Sequence, residues 1–295
     1  MFLIFGADLS LPARSGTSEI KYFGGNIMNS PAEVAKNYIA IGKGKATNTV
    51  MKLLILGILA GAFIALAGVG ATTAAVTIES KAVAKLVGAC VFPAGLAMVL
   101  VAGSELFTGN CLIIIPVLEG EVTVGQMLRN WLIVYIGNLI GGIIVAAIAV
   151  YGHTASLFGG AEGGLAAAIV STANGKVTMT FGDAFIRGIA CNFLVCIAVW
   201  MSFAAKTVAG KIVGIFFPIM LFVLSGFEHS VANMYYISAG LFAKTEYGIS
   251  ADALTWGSFF VKNLIPVTLG NIVGGAGLVG LPYWIIYLRK SKKAE

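Results

Sequence analysis

The chemistry of this chain starts in one short stretch, "SGFEHSVAN" (225–233). Glu228, His229, Ser230 and Asn233 come straight after "IFFPIMLFVL", a run with no polar side chain, and a second apolar and aromatic run follows. An ionisable group in such surroundings is costly to bury and marks a functional site by default. An imidazole changes charge near neutral pH, so His229 could hand a proton to a passing weak acid. The other histidine, His153, lies in a polar stretch. A second interruption, "GSELFTGN" (103–110), carries Glu105, Thr108 and Asn110. Lys176, in "STANGKVTMTFGDAF", precedes an apolar run; a lysine there would attract an anion and help its protonation as it dehydrates. Plainer readings stand beside these: Glu105 and Glu228 as pins of two chain breaks, His229 as a satisfied core histidine, Lys176 as a solvated loop lysine.

The elements that must position these groups are membrane helices. Only 11% of the 295 residues are charged, against 58% hydrophobic, and the mean hydropathy is +0.93. A soluble domain carries about 25% charged residues. The natural solvent of this surface is therefore lipid. Glycine, at 38 residues, suits close helix packing there. Six apolar segments stand out, near 52–76, 83–118, 128–151, 183–205, 211–243 and 259–287. The second and fifth exceed the ~20 residues of one crossing, and each is broken by one of the two polar stretches. Aligning Gly103-Ser104-Glu105 with Gly226-Phe227-Glu228 puts Asn110 on Asn233 without a gap, and "RNWLIVYIGNLIGG" (129–142) matches "KNLIPVTLGNIVGG" (262–275). Two halves of three spans, about 50–151 and 183–288, would insert with opposite orientation and bring their broken helices together at the midplane. The expected fold is an all-α membrane bundle of two inverted three-helix repeats.

Short-loop cations orient it. Eleven fall on the side of both ends against six on the other (Lys81, Lys85, Lys176, Arg187, Lys244 and Lys262). The positive-inside rule then puts both termini in the cytoplasm of a plasma (inner) membrane. Met28 reads as the natural start: Ser30, Pro31 and Glu33 form an N-cap, a first helical residue and a capping-box partner. Residues 1–27 read as an added extension and 28–295 as a single transmembrane domain; 30–45 is a candidate cytoplasmic lid. Cys90, Cys111, Cys191 and Cys196 all sit in apolar segments with no clip spacing, which predicts buried reduced thiols, no metal and no cofactor. No basic patch with interleaved aromatics points to nucleic acid, and no HExxH or GxSxG points to an enzyme.

The stretches "SELFTGN", "RNWLIVYIGNLIGG", "CNFLVCIAVWMSF", "GFEHSVANMYYI" and "NLIPVTLGNIVGG" with "YWIIYL" resemble the formate–nitrite transporter family, from about Met28 to Leu288. The resemblance implies an aquaporin-like fold, a homopentamer with one pore per protomer, and passage of small monovalent weak-acid anions: formate, nitrite or hydrosulfide. It implies His229 as the pore histidine, Thr108 as its hydrogen-bond partner and Asn271 facing the central chamber. Lys176, Glu228, Asn192 and Asn233 would form the polar set near the entrance. Phe92, Phe107 and Phe222 would form one constriction, and Leu96, Leu106 and Val195 the other; without the resemblance these six read as core. The alternative on the same architecture is a pore for small neutral solutes, but the breaks lack its Asn-Pro-Ala pair. An ammonium channel would need two facing pore histidines.

Overall fold

The computed structural model describes residues 28–289, so the expected extension 1–27 and Lys290, Lys292 and Lys293 lie outside the described residues. Its elements are helices, with one isolated bridge between Met28 and Ala205. Helix α1 (Pro31–Thr47) opens on the expected capping box: the Ser30 side chain accepts from the Glu33 amide (3.3 Å) and the Glu33 carboxylate from the Ser30 amide (2.7 Å). Five further helices are long and apolar enough to cross a bilayer: α2 (Val50–Ala75), α3 (Lys81–Gly103), α5 (Val124–Tyr151), α7 (Phe181–Ala204) and α10 (Trp256–Tyr287). The shorter α4 (Phe107–Leu118) continues α3 after the first break. The second break separates α8 (Val208–Leu224) from α9 (Ser230–Glu246). Between α5 and α7, where the sequence reads as a polar loop, the chain forms α6 (Leu165–Val177), and Lys176 stands in its last turn.

Both breaks begin on a glycine in the left-handed region, Gly103 (φ +85°) and Gly226 (φ +72°). A Cβ is strained there, which is why each interruption starts on the one residue that lacks it. Elsewhere glycine serves close approach. A Cβ on Gly61 of α2 would land on the Asn138 carbonyl of α5, and one on Gly274 of α10 on the Ile189 carbonyl of α7. In a bilayer, which offers no hydrophobic drive between helices, such backbone contact supplies the packing.

The outside of the bundle is apolar. On α5, Leu128, Leu132, Ile136, Ile140, Ile144 and Ile148 recur every fourth residue and are all exposed, Ile148 by 63%. The polar residues are inside: Glu105, Thr108, Asn110, Asn130, Asn138, Asn192, Glu228, His229, Asn233, Asn263 and Asn271 are all buried. Cys111, Cys191 and Cys196 are buried as expected, but Cys90 is exposed, at the seam of α3 with α8, where its Sγ lies 3.9 Å from Met220 Sδ.

Candidate functional site

The polar interior consists of one hydrogen-bond pattern that occurs twice. At the first break, Lys45 Nζ donates to Glu105 (3.0 Å) and to Asn110 Oδ1 (3.2 Å). Asn110 Nδ2 donates to Glu105 (2.6 Å) and to Asn130 Oδ1 (2.9 Å), and Asn130 closes the ring on the Lys45 carbonyl (3.0 Å). At the second break, Lys176 Nζ donates to both Glu228 oxygens (2.9 and 3.1 Å). Asn233 Nδ2 donates to Glu228 (2.6 Å) and Asn263 Oδ1 (2.8 Å), and Asn263 donates to the Lys176 carbonyl (2.9 Å). All four charged side chains are largely buried, at 21% and 7% exposure for Lys45 and Glu105 and 16% and 6% for Lys176 and Glu228. A buried charge is tolerated when it is paired, as both lysines are here.

A second duplicated device holds the broken backbone. Asn138 accepts from the Phe107 amide (3.0 Å) and donates to the Gly57 and Glu105 carbonyls (2.8 and 2.9 Å). Asn271 accepts from the Ser230 amide (2.9 Å) and donates to the Gly188 and Glu228 carbonyls (2.8 and 3.0 Å). Irregular backbone at membrane depth must be satisfied by protein, and two asparagines do this. Asn192 adds bonds to the Thr108 carbonyl (3.2 Å) and the Asn271 carbonyl (2.7 Å), tying one break to the other half.

The breaks meet at Thr108 and His229, whose Oγ1 and Nε2 are 2.8 Å apart. His229 is also the N-cap of α9: its Nδ1 accepts from the Ala232 amide at 3.0 Å. An accepting Nδ1 carries no proton, so the neutral ring bears its hydrogen on Nε2 and donates it to Thr108. The Thr108 O–H is thereby left to donate elsewhere. Two cavities that share no lining residue lie to either side. The larger, about 420 Å³, is lined by Lys81, Lys85, Lys176, Glu228, His229, Phe92 and Phe222 among others. The smaller, about 20 Å³, is lined by Tyr38, Lys45, Leu96, Leu106, Asn110 and Phe203 among others.

These contacts bring most of the expected residues together. Phe92 and Phe222 meet edge-on (5.7 Å between centroids), with the His229 ring 5.8 Å from Phe222. Phe107 does not join them; it packs against Tyr135 (5.0 Å) and Trp131 (6.1 Å). Leu96 and Leu106 line the small cavity, while Val195 is buried and lines neither. Asn271, expected at a chamber, lines neither cavity, because its side chain is spent on backbone. Tyr38 of α1 caps the small cavity; it is fully buried and packs edge-on against Phe203 at 5.5 Å. Lys45, Asn130, Asn138 and Asn263 complete the site without standing out in the sequence. One signal would have found Lys45: "GKATNT" (44–49) matches "GKVTMT" (175–180) around Lys176 without a gap.

This geometry, an apolar-faced helical bundle with a paired charge cluster at each break and the Thr108–His229 contact between them, fits an integral membrane transporter. The comparisons agree. A family model described as "Formate/nitrite transporter" matches residues 32–285. The chain is 41% identical over 283 residues to a "Probable formate transporter" of Methanothermobacter thermautotrophicus, covering 90% of this chain and all of that one. It is 40% identical over 275 residues to the "Formate channel FocA" of Escherichia coli (strain K12), covering 88% and 95%. Among solved structures it is similar to a "Pentameric formate channel with formate bound" (36% identity, TM-score 0.71, covering 81% and 98%). It is similar also to an "FNT family ion channel" (30% identity, TM-score 0.77, covering 86% and 98%). The chain belongs to the formate/nitrite transporter family; it is a transporter and not an enzyme.

Proposed function

We propose that the chain is a channel for formate and like small monovalent weak-acid anions, nitrite and hydrosulfide included, which cross its waist as the neutral acid. The observation that carries this reading is the position of charge: Lys45 and Lys176 line the two cavities, while the waist offers only Thr108, the neutral His229 and apolar side chains. A bare anion pays several kcal/mol to enter such surroundings; a neutral acid pays far less. Formate comes first because the relatives above are named for it.

The anion gathers in the larger cavity beside Lys176, which has one N–H beyond its two bonds to Glu228. One proton joins it, and the acid passes between Phe92 and Phe222, exchanges hydrogen bonds with His229 Nε2–H and the Thr108 O–H, and passes Leu96 and Leu106. It ionises in the cavity of Lys45. His229 can supply the proton only from an imidazolium, whose Nδ1–H would displace the Ala232 amide; otherwise water supplies it. We place the larger cavity outside the cell, both termini in the cytoplasm, and the protein in the plasma membrane. The doubled lysine–glutamate–asparagine pattern supports two inverted repeats of aquaporin-like form with α1 and α6 as matching flanks. The pentameric relative supports a homopentamer.

The test is uptake of formate, nitrite, hydrosulfide and chloride by proteoliposomes between pH 5 and 8. Flux should follow the weak acids, exclude chloride and rise as pH falls. His229→Asn should alter that pH response if the ring relays the proton; the same response in the variant leaves water as the source. Chloride crossing as readily as formate would refute the proposal.

A further inference from the structure

We propose that Lys85 is the anion-collecting residue of the larger mouth and that this mouth alone carries net charge. The inference rests on the reading above and deepens it. The charged side chains lining the larger cavity are Lys81, Lys85, Lys176 and Glu228. Lys176 and Glu228 touch at 2.9 Å and cancel each other at any distance an approaching anion would feel. Three cations against one carboxylate leave a charge of +2, held by Lys81 and Lys85, neither of which has an ion-pair or hydrogen-bond partner among the described residues. Arg187 gives its carbonyl to the Glu228 amide and does not line the cavity.

The other mouth differs. Lys45 is the one charged residue lining the smaller cavity, and Glu105 at 3.0 Å balances it. The duplicated clusters are therefore each neutral, and the asymmetry comes from α3. In the register that puts Gly103 on Gly226, Lys85 falls on Val208, an exposed apolar residue, so the smaller mouth has no counterpart.

Position selects Lys85 over Lys81. Its ammonium reaches the second break: a Cβ on Gly226 would lie 3.8 Å from Lys85 Nζ, two residues from Glu228. Lys81 is one turn earlier, at the start of α3. An anion drawn to Lys85 thus arrives beside the pair that holds the break, ahead of Phe92 and Phe222.

Electrostatics also dictates where the effect is read. A positive mouth concentrates anions and repels protons by the same Boltzmann factor, so it leaves the local level of neutral acid unchanged. Lys85 therefore sets the anion occupancy of the mouth, seen as the half-saturating anion concentration, while the uptake rate at low formate, which follows the neutral acid, stays near native. Removing one unit charge a few ångströms from a wet site changes occupancy by about two- to fivefold, and about 0.5 M salt screens most of it.

The experiment measures formate uptake by the full-length protein in right-side-out and inside-out membrane vesicles, at low and high salt. In right-side-out vesicles at low salt, Lys85→Gln should raise the half-saturating formate concentration about two- to fivefold. Lys85→Glu should raise it further, and Lys85→Arg should match the native protein. The shift should shrink at 0.5 M salt and be absent when formate is added to the inner face. Lys211→Gln, a charge change lining neither cavity, controls for net charge. Native saturation in Lys85→Gln, or a shift that ignores salt, overturns the inference alone. A native chain that passes none of the weak-acid anions overturns the proposed function, and this inference with it.

Discussion

Asn271 separates a strut from a pore-lining group, and Asn271→Ala decides between them. The side chain is fully buried and satisfies the Ser230 amide and the Gly188 and Glu228 carbonyls at 2.8 to 3.0 Å. Truncation removes three bonds and leaves the Ser230 amide and the Glu228 carbonyl unpaired at membrane depth, while the Gly188 carbonyl, inside α7, keeps its helical bond. At the ~0.6 kcal/mol seen on average for bonds between membrane helices, the loss is about 2 kcal/mol. At the ~1–3 kcal/mol of an orphaned buried group, the two groups left bare bring it to about 2–6 kcal/mol. Asn138→Ala removes the matching bonds at the other break and should cost a similar amount. Asn271→Asp should be at least as damaging, since it turns a donor into an oxygen facing two carbonyls. The assay is a denaturant titration in detergent, run beside formate flux on the same preparations. A strut predicts that stability and flux fall together in both alanine variants. Native stability in Asn271→Ala with altered flux or anion preference would refute this assignment and return Asn271 to the chamber wall.

Two further expectations follow from the charges. Glu228→Gln leaves the Lys176 ammonium buried without its counter-charge and should cost about 3–5 kcal/mol; adding Lys176→Met should restore much of it, as thermal unfolding in detergent would register. On α1, bonds from the Ser30 backbone and side chain hold the Glu33 carboxyl below its ordinary range. A lowered folded-state value means that the cap stabilises above the unfolded carboxyl's titration, near pH 4, and is lost as pH falls through the folded one. Protection factors in the first turn of α1, that is, exchange corrected for its intrinsic slowing in acid, should therefore fall as pH drops from 6 to 3, and Glu33→Gln should not show that step.

Much of the frame is legible in the sequence because membrane physics writes in long runs. Apolar stretches of crossing length, two polar interruptions and a serine–proline–glutamate start have no good alternative reading, and the helices begin and end close to where those signals lie. The partners within the site are less legible. Glu105 and Glu228 announce themselves by being charged among aliphatic residues, but the lysines that pair with them lie 60 and 52 positions away. Lys45 also reads as one more cation at a span end. Asn130, Asn138 and Asn263 sit in the two matched blocks, yet an asparagine looks the same whether it ties backbone or faces a channel. Helix α6 hides because "STANGKVT" has the composition of a loop; its helical form comes from packing Ile169, Val170 and Ala173 inward.

The waist has a further consequence for the source of the proton. His229 holds two jobs: it caps α9 through Nδ1 and touches Thr108 through Nε2. Charging the ring puts a proton on Nδ1, which gives up a cap worth about 0.5–2 kcal/mol and sets a cation at the positive end of a helix dipole. Both costs recur in every cycle in which the histidine is the donor. Water in the larger cavity meets neither cost. The arrangement therefore favours a neutral histidine that hydrogen-bonds to the passing acid and a proton taken from solvent before the rings of Phe92 and Phe222. Thr108→Val sharpens the distinction, because it removes the hydroxyl while leaving the α9 cap intact. If the histidine serves as a hydrogen-bonding group, that variant should lower flux at every pH without changing the pH profile. A changed profile would mean that the threonine belongs to a proton relay through the ring.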